Sequence, residues 1–167
     1  MNLRPELLPP TLDEVLVTRL AELAAQVDGA RAGEGDDWLA EFNSLAGTTI
    51  PFEEFQGIYG AEDHADWVRR VLTYQQIKPT SDVTREELVE IVRRAMPQNG
   101  YPDAEAYMAI FDVNVPRSGA SNIIFYPPDY DSDTNTWGGG RMIGEYDPTP
   151  QQIVDWAFAP PAAKWEA

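Results

Sequence analysis

Three short signatures, Thr11-Leu-Asp-Glu14, Thr84-Arg-Glu-Glu87 and Thr149-Pro-Gln-Gln152, each set a threonine three residues ahead of a glutamate or glutamine. At that spacing the hydroxyl accepts from the N3 backbone N–H while the N3 side chain accepts from the threonine N–H, so each signature opens a helix. An apolar stripe at helical period follows each one: Leu12, Leu16, Leu20, Leu23 and Val27; Leu88, Ile91, Val92 and Ala95; Ile153, Val154, Trp156 and Ala157. Gly29 is expected to close the first helix as a left-handed C-cap, and Pro97 to stop the second. Pro150 sits at its favoured first helical position in the third.

The segments between them read the same way. A helix from Asp36 or Asp37 to Gly47 carries Trp38, Leu39, Phe42 and Leu45 inward, and Pro51–Gly57 is a short helical turn ending near Gly60. Glu62, Asp63 and Asp66 load the start of a helix that buries Trp67, Val68, Val71 and Leu72, with the charge its dipole prefers. A further helix spans Asp103 to about Asn114 with Tyr107, Met108, Ile110 and Phe111. No run alternates apolar and polar residues and no Asn-Gly turn joins two such runs, so the sequence predicts an all-α fold without strands.

Residues 76–83, Gln-Ile-Lys-Pro-Thr-Ser-Asp-Val, form the best linker, giving an N-terminal helical domain over 1–78 and a second domain over 79–167 with a long polar loop at 129–148. Both halves run in one order: capped helix, acidic helix carrying a Phe, aromatic turn with a Tyr and a breaker, helix with a Trp. Thr11, Phe42, Tyr59 and Trp67 correspond to Thr84, Phe111, Tyr126 and Trp156. Residues 1–78 and 79–167 each carry 14 acidic and 6 basic side chains. A diverged tandem repeat accounts for this, and so does the general tendency of helical chains to parse alike; the sequence leaves both open.

The net charge is -16. Such a chain repels nucleic acid and anionic membranes and draws a strongly basic protein, which nuclease domains are. The absence of cysteine removes disulfides, thiolate metal sites and thiol nucleophiles together. Met1-Asn-Leu-Arg-Pro-Glu lacks an apolar signal core and no run reaches membrane-span length, so a soluble, cytoplasmic protein is expected.

Candidate chemistry is sparse. Asp129-Tyr-Asp-Ser-Asp-Thr-Asn135 places acids at the first, third and fifth positions of a calcium loop, but Thr134 stands for the sixth-position glycine and Gly140 for the bidentate glutamate. A solvated loop is the favoured reading, in which Tyr130, Trp137 and Gly138–Gly140 add mobile contact area. His64, the only histidine, sits among Glu62 and Asp66 at a helix start without ligand geometry. No base, nucleophile and convergent acids assemble, so no enzyme, metal or cofactor is expected.

The most distinctive stretch is Gly119-Ala-Ser-Asn-Ile-Ile-Phe-Tyr-Pro-Pro128. Ile123 and Ile124 read as anchors, and Phe125 and Tyr126 as rings that either fold inward or stand out as a recognition surface, on a turn that the prolines prevent from continuing as helix. This turn, with Thr84-Arg-Glu-Glu-Leu-Val-Glu-Ile-Val92 before it, Phe111 between and Thr149-Pro-Gln-Gln-Ile-Val154 after it, resembles the colicin/pyocin immunity proteins over about residues 80–158. The resemblance implies a small acidic four-helix domain that inhibits a nuclease bacteriocin by forming a tight one-to-one complex, with no reaction of its own. It implies that Tyr126 and Phe125 take the places of the second and first turn tyrosines, that Asn122 stands where the family has Asp, and that Asp103, Glu105 and Asp112 are the available second-helix acids. Tyr130 and Trp137 extend this surface. The alternative is an acidic adaptor or regulatory module with a basic, non-toxin partner.

Overall fold

The computed structural model describes residues 1–160; Pro161 to Ala167, which the sequence places at the end of the second domain, lie outside the described residues. The fold is all-α. The chain divides into two compact units, one continuous (residues 10–76) and one split (residues 1–9 with 77 onward). The linker expected at 76–83 thus begins at the division, but the first nine residues pack with the second unit rather than the first. Their reason is in the core: Leu3 and Leu7 are buried among Leu88, Ile91, Tyr107 and Phe111.

The continuous unit contains α1 (Glu14–Asp28), α2 (Asp36–Ala46), two 3-10 turns (Phe52–Phe55 and Ile58–Gly60) and α3 (His64–Gln76). The first capping box does not form. Asp13 Oδ1 caps the helix instead, accepting from the backbone N–H of Val15 at 2.9 Å and Leu16 at 3.3 Å. Aspartate is as good an N-cap as threonine, and with it in that place Glu14 becomes the first helical residue, unable to reach back as N3. Gly29 caps α1 in the right-handed region, at φ -83°; the left-handed cap belongs to Gly47 at the end of α2, φ 68°. Trp38 and Leu45 are exposed, against expectation, because α2 packs chiefly on α1 and its buried face narrows to Phe42 and Ala46. Phe42 meets Phe55 edge-on at 4.9 Å between centroids, and Trp67 closes the cluster at 4.9 Å from Phe55.

The split unit repeats the order with α4 (Arg85–Ala95), α5 (Ala104–Val113), a 3-10 turn (Ala120–Ile124) and α6 (Pro150–Phe158). Here both capping boxes form: Thr84 with Glu87, and Thr149 with Gln152. Glu87 also receives Arg4 at 2.9 and 3.1 Å. The Thr84 N–H bond and this guanidinium together hold its carboxyl below the usual range, against the opposing pull of desolvation. In each unit the first helix packs on the second and the third, and the short turn follows the second helix. The two units thus share an order of elements, which a diverged repeat and the general tendency of helical chains to parse alike both accommodate.

One polar group enters the core of the split unit. Glu90 is buried and holds both Arg93 and Arg94. The Arg94 guanidinium bonds Glu90 at 2.9 Å, the Tyr107 hydroxyl at 3.0 Å and the Met1 carbonyl at 3.1 Å, and it lies over the rings of Tyr101 and Tyr107. A buried carboxylate is tolerable only when paired in this way.

The prediction of no strands needs one correction. β1 (Thr136–Trp137) and β2 (Arg141–Met142) form a two-residue antiparallel hairpin, pairing Thr136 with Met142 and Trp137 with Arg141. It is too short to show alternation. Gly138, Gly139 and Gly140 close it with φ of 55°, 83° and 125°, a run that residues with a Cβ adopt only under strain. No described helix is long and apolar enough to cross a membrane.

Candidate functional site

The turn after α5 sorts its residues by side. Ile123, Ile124 and Pro127 are buried, while Phe125 and Tyr126 are 45% and 51% exposed. Gly119, at φ 62°, starts the 3-10 turn, and the Asn122 carbonyl accepts from Phe125 N–H at 3.0 Å and Tyr126 N–H at 2.9 Å. The two rings are therefore held on a fixed backbone with anchors on either side. Asn122 itself is exposed. Tyr126 packs on Tyr130 with the rings tilted by 36° and their centroids 4.9 Å apart, and the Tyr130 hydroxyl donates to Asn135 Oδ1 at 2.9 Å. The structure thus brings Asn122, Phe125, Tyr126 and Tyr130 together.

Asp112 has a different task. Its carboxylate accepts from the Ser121 backbone N–H at 2.6 Å and from the Ser121 hydroxyl at 2.8 Å, clamping the turn to the end of α5. It supports the turn that carries the rings. Asp103 and Glu105 are exposed at the opposite end of α5. Asp103 lies nine residues before Asp112, about 13 Å along a helix axis at 1.5 Å per residue. They therefore do not join Asp112 at the turn. Exposed acids closer in sequence to the rings are Asp131 and Asp133.

The loop expected to be mobile is built into the unit. The Tyr146 hydroxyl donates to the Ile123 carbonyl, and the ring is edge-on to Trp137 at 5.2 Å and stacked on Trp156 at 6.3 Å. Burial, then the charge of Asp129, pushes the Tyr146 phenol well above its ordinary range. Trp137 is half-buried, its indole N–H reaching the Met142 carbonyl at 3.3 Å. It lines a groove together with Arg141, Trp156 and Phe158.

The calcium-like acids turn onto their own loop. Asp129 Oδ2 accepts from Gly138 N–H at 2.7 Å, and Asp131 Oδ1 from Asp133 N–H at 2.9 Å. No group of three metal-ligating side chains converges among the described residues.

No family model, curated protein or solved structure matches this chain. Its residues must speak for themselves.

The continuous unit has a turn tyrosine of its own. Tyr59 is 78% exposed, and its turn is held from below by Asp28, the last residue of α1. The buried Asp28 carboxylate accepts from Gly57 N–H at 2.8 Å, Tyr59 N–H at 3.0 Å and His64 Nε2 at 2.8 Å. Burial alone would raise this carboxyl; the bonds from Tyr59, His64 and Gly57 outweigh it and hold it below the usual carboxylate range. His64 is thus a partner of Asp28, not of Glu62 or Asp66. Sequence reasoning missed Asp28, although a signal existed: an acid in the last turn of a helix opposes the dipole and needs compensation.

Proposed function

We propose that this chain is a stoichiometric inhibitor that neutralises a basic nuclease toxin domain, as an immunity protein does. The observation that carries the reading is the exposed Phe125–Tyr126 pair, fixed on a turn whose neighbours Ile123, Ile124 and Pro127 are buried. A rigid ring contributes much contact area at little entropic cost, which is why Tyr is enriched at binding hot spots. The supporting field is the net charge of -16. It accelerates encounter with a basic partner and screens away with salt. Asp103 and Glu105 contribute to that field, Tyr126, Phe125, Tyr130 and Asn122 form the contact, and Asp112 keeps the turn in place. The protein carries out no reaction in this reading.

The test is a pull-down from native lysate with the tagged protein as bait, read by mass spectrometry and by nuclease assay. A basic nuclease recovered in equal amount and silenced by the bait is the expected result. Tyr126→Ala should then cost about 2–4 kcal/mol of binding. A basic partner with no nuclease activity would replace this reading with that of an acidic adaptor.

A further inference from the structure

Besides supporting the turn, loop 129–148 lines a groove of about 970 Å³ within the split unit. Asp129, Trp137 and Arg141 of the loop line it, together with Arg117 and with Trp156 and Phe158 of α6. That volume is of the size that takes small ligands.

The arginines distinguish this groove from a gap in packing. Of the ten arginines in this strongly acidic chain, seven have a carboxylate partner. Arg117 and Arg141 form no salt bridge with a described residue, and both line the groove. Arg141 instead lies over the Trp137 ring, its guanidinium carbon 5.0 Å from the centroid. A guanidinium stacked in this way keeps its in-plane N–H donors available for a planar anion. The one lining carboxylate, Asp129, is directed to Gly138 N–H. Tyr146 backs Trp137 and Trp156, so the aromatic wall is fixed.

We propose that this groove binds a small aromatic anion, its ring against Trp137 and Trp156 and its acidic group on Arg117 and Arg141. The site is independent of the inhibitor reading: it uses none of Asn122, Phe125, Tyr126 and Tyr130, and of the surface expected from the sequence it shares only Trp137.

Two fluorescent probes of similar shape test it on the intact protein: anionic 8-anilinonaphthalene-1-sulfonate and neutral N-phenyl-1-naphthylamine. The anion should bind saturably, at one site, about tenfold more tightly than the neutral probe, the difference one good charge-assisted contact makes. Arg117→Gln and Arg141→Gln should each remove most of that preference and leave the neutral probe within about twofold of its original affinity. Arg141 also stacks on Trp137; if its substitution lowers the melting midpoint, Arg117→Gln alone decides. Equal affinity for the two probes, an anion preference that survives Arg117→Gln, or no saturable binding would each overturn the proposal.

Discussion

Asp28→Asn is the sharpest test of how the continuous unit holds its turn. Asparagine keeps the shape but not the charge, and it sets an amide NH2 where one carboxylate oxygen now accepts. Three donors converge on Asp28, at 2.8, 3.0 and 2.8 Å, and its side chain is only 2% exposed, so solvent screening does little to discount them. A bond to a charged group contributes about 1.5–3 kcal/mol net, and asparagine preserves part of that set in weaker form. The expected loss is therefore about 2–4 kcal/mol. The pH dependence follows from the lowered carboxyl: the carboxylate's stabilisation is complete above the unfolded value of about 3.9 and is lost as pH falls through the lower folded value. Wild type and variant should differ most at neutral pH and converge on acidification. Urea titration read by hydrogen exchange on peptides from residues 10–76 isolates this unit from the other. A difference below about 0.5 kcal/mol at pH 7, or one that persists undiminished at the lowest pH where the unit remains folded, would refute the assignment.

Phe42→Ala, which removes a fully buried ring between Phe55 and Trp67, should cost about 3–5 kcal/mol, read by the same exchange experiment on residues 10–76. Leu7→Ala should cost about 2–5 kcal/mol, and the loss should appear in peptides from 85–158 although the substitution is near the N-terminus. Asp112→Ala strands Ser121 and should raise exchange at Asn122–Tyr126 while leaving α1–α3 unchanged; in a measured complex it should weaken binding mainly through faster dissociation.

Local rules were legible where one residue type had no competitor. Thr84 and Thr149 capped their helices as read, because no better acceptor stood between them and the helix start. Thr11 failed because Asp13 did stand there. The stripes of α4 and α5 were readable since these helices are covered by several neighbours, whereas Trp38 and Leu45 on α2 looked equally apolar and found little to cover them. For the candidate site, the anchors and prolines located the ring-bearing turn but left Phe125 and Tyr126 able to fold inward or stand out; the structure exposes both. What the sequence could not show was pairing across distance: Asp112 with Ser121, His64 with Asp28, and the presence of Arg117 and Arg141 in one groove depend on tertiary placement that spacing does not encode.

The route of the chain has a consequence for synthesis. Leu3, Arg4 and Leu7 leave the ribosome before residues 10–76, yet their partners on α4 and α5 follow only after that whole segment. The continuous unit can complete its own core while those nine residues wait, so the order of folding runs from the middle of the chain outward to both sides. A cut in the segment after Gln76 would not yield two sound halves: it would send Leu3 and Leu7 away with the wrong fragment and leave the other with a vacancy at its centre.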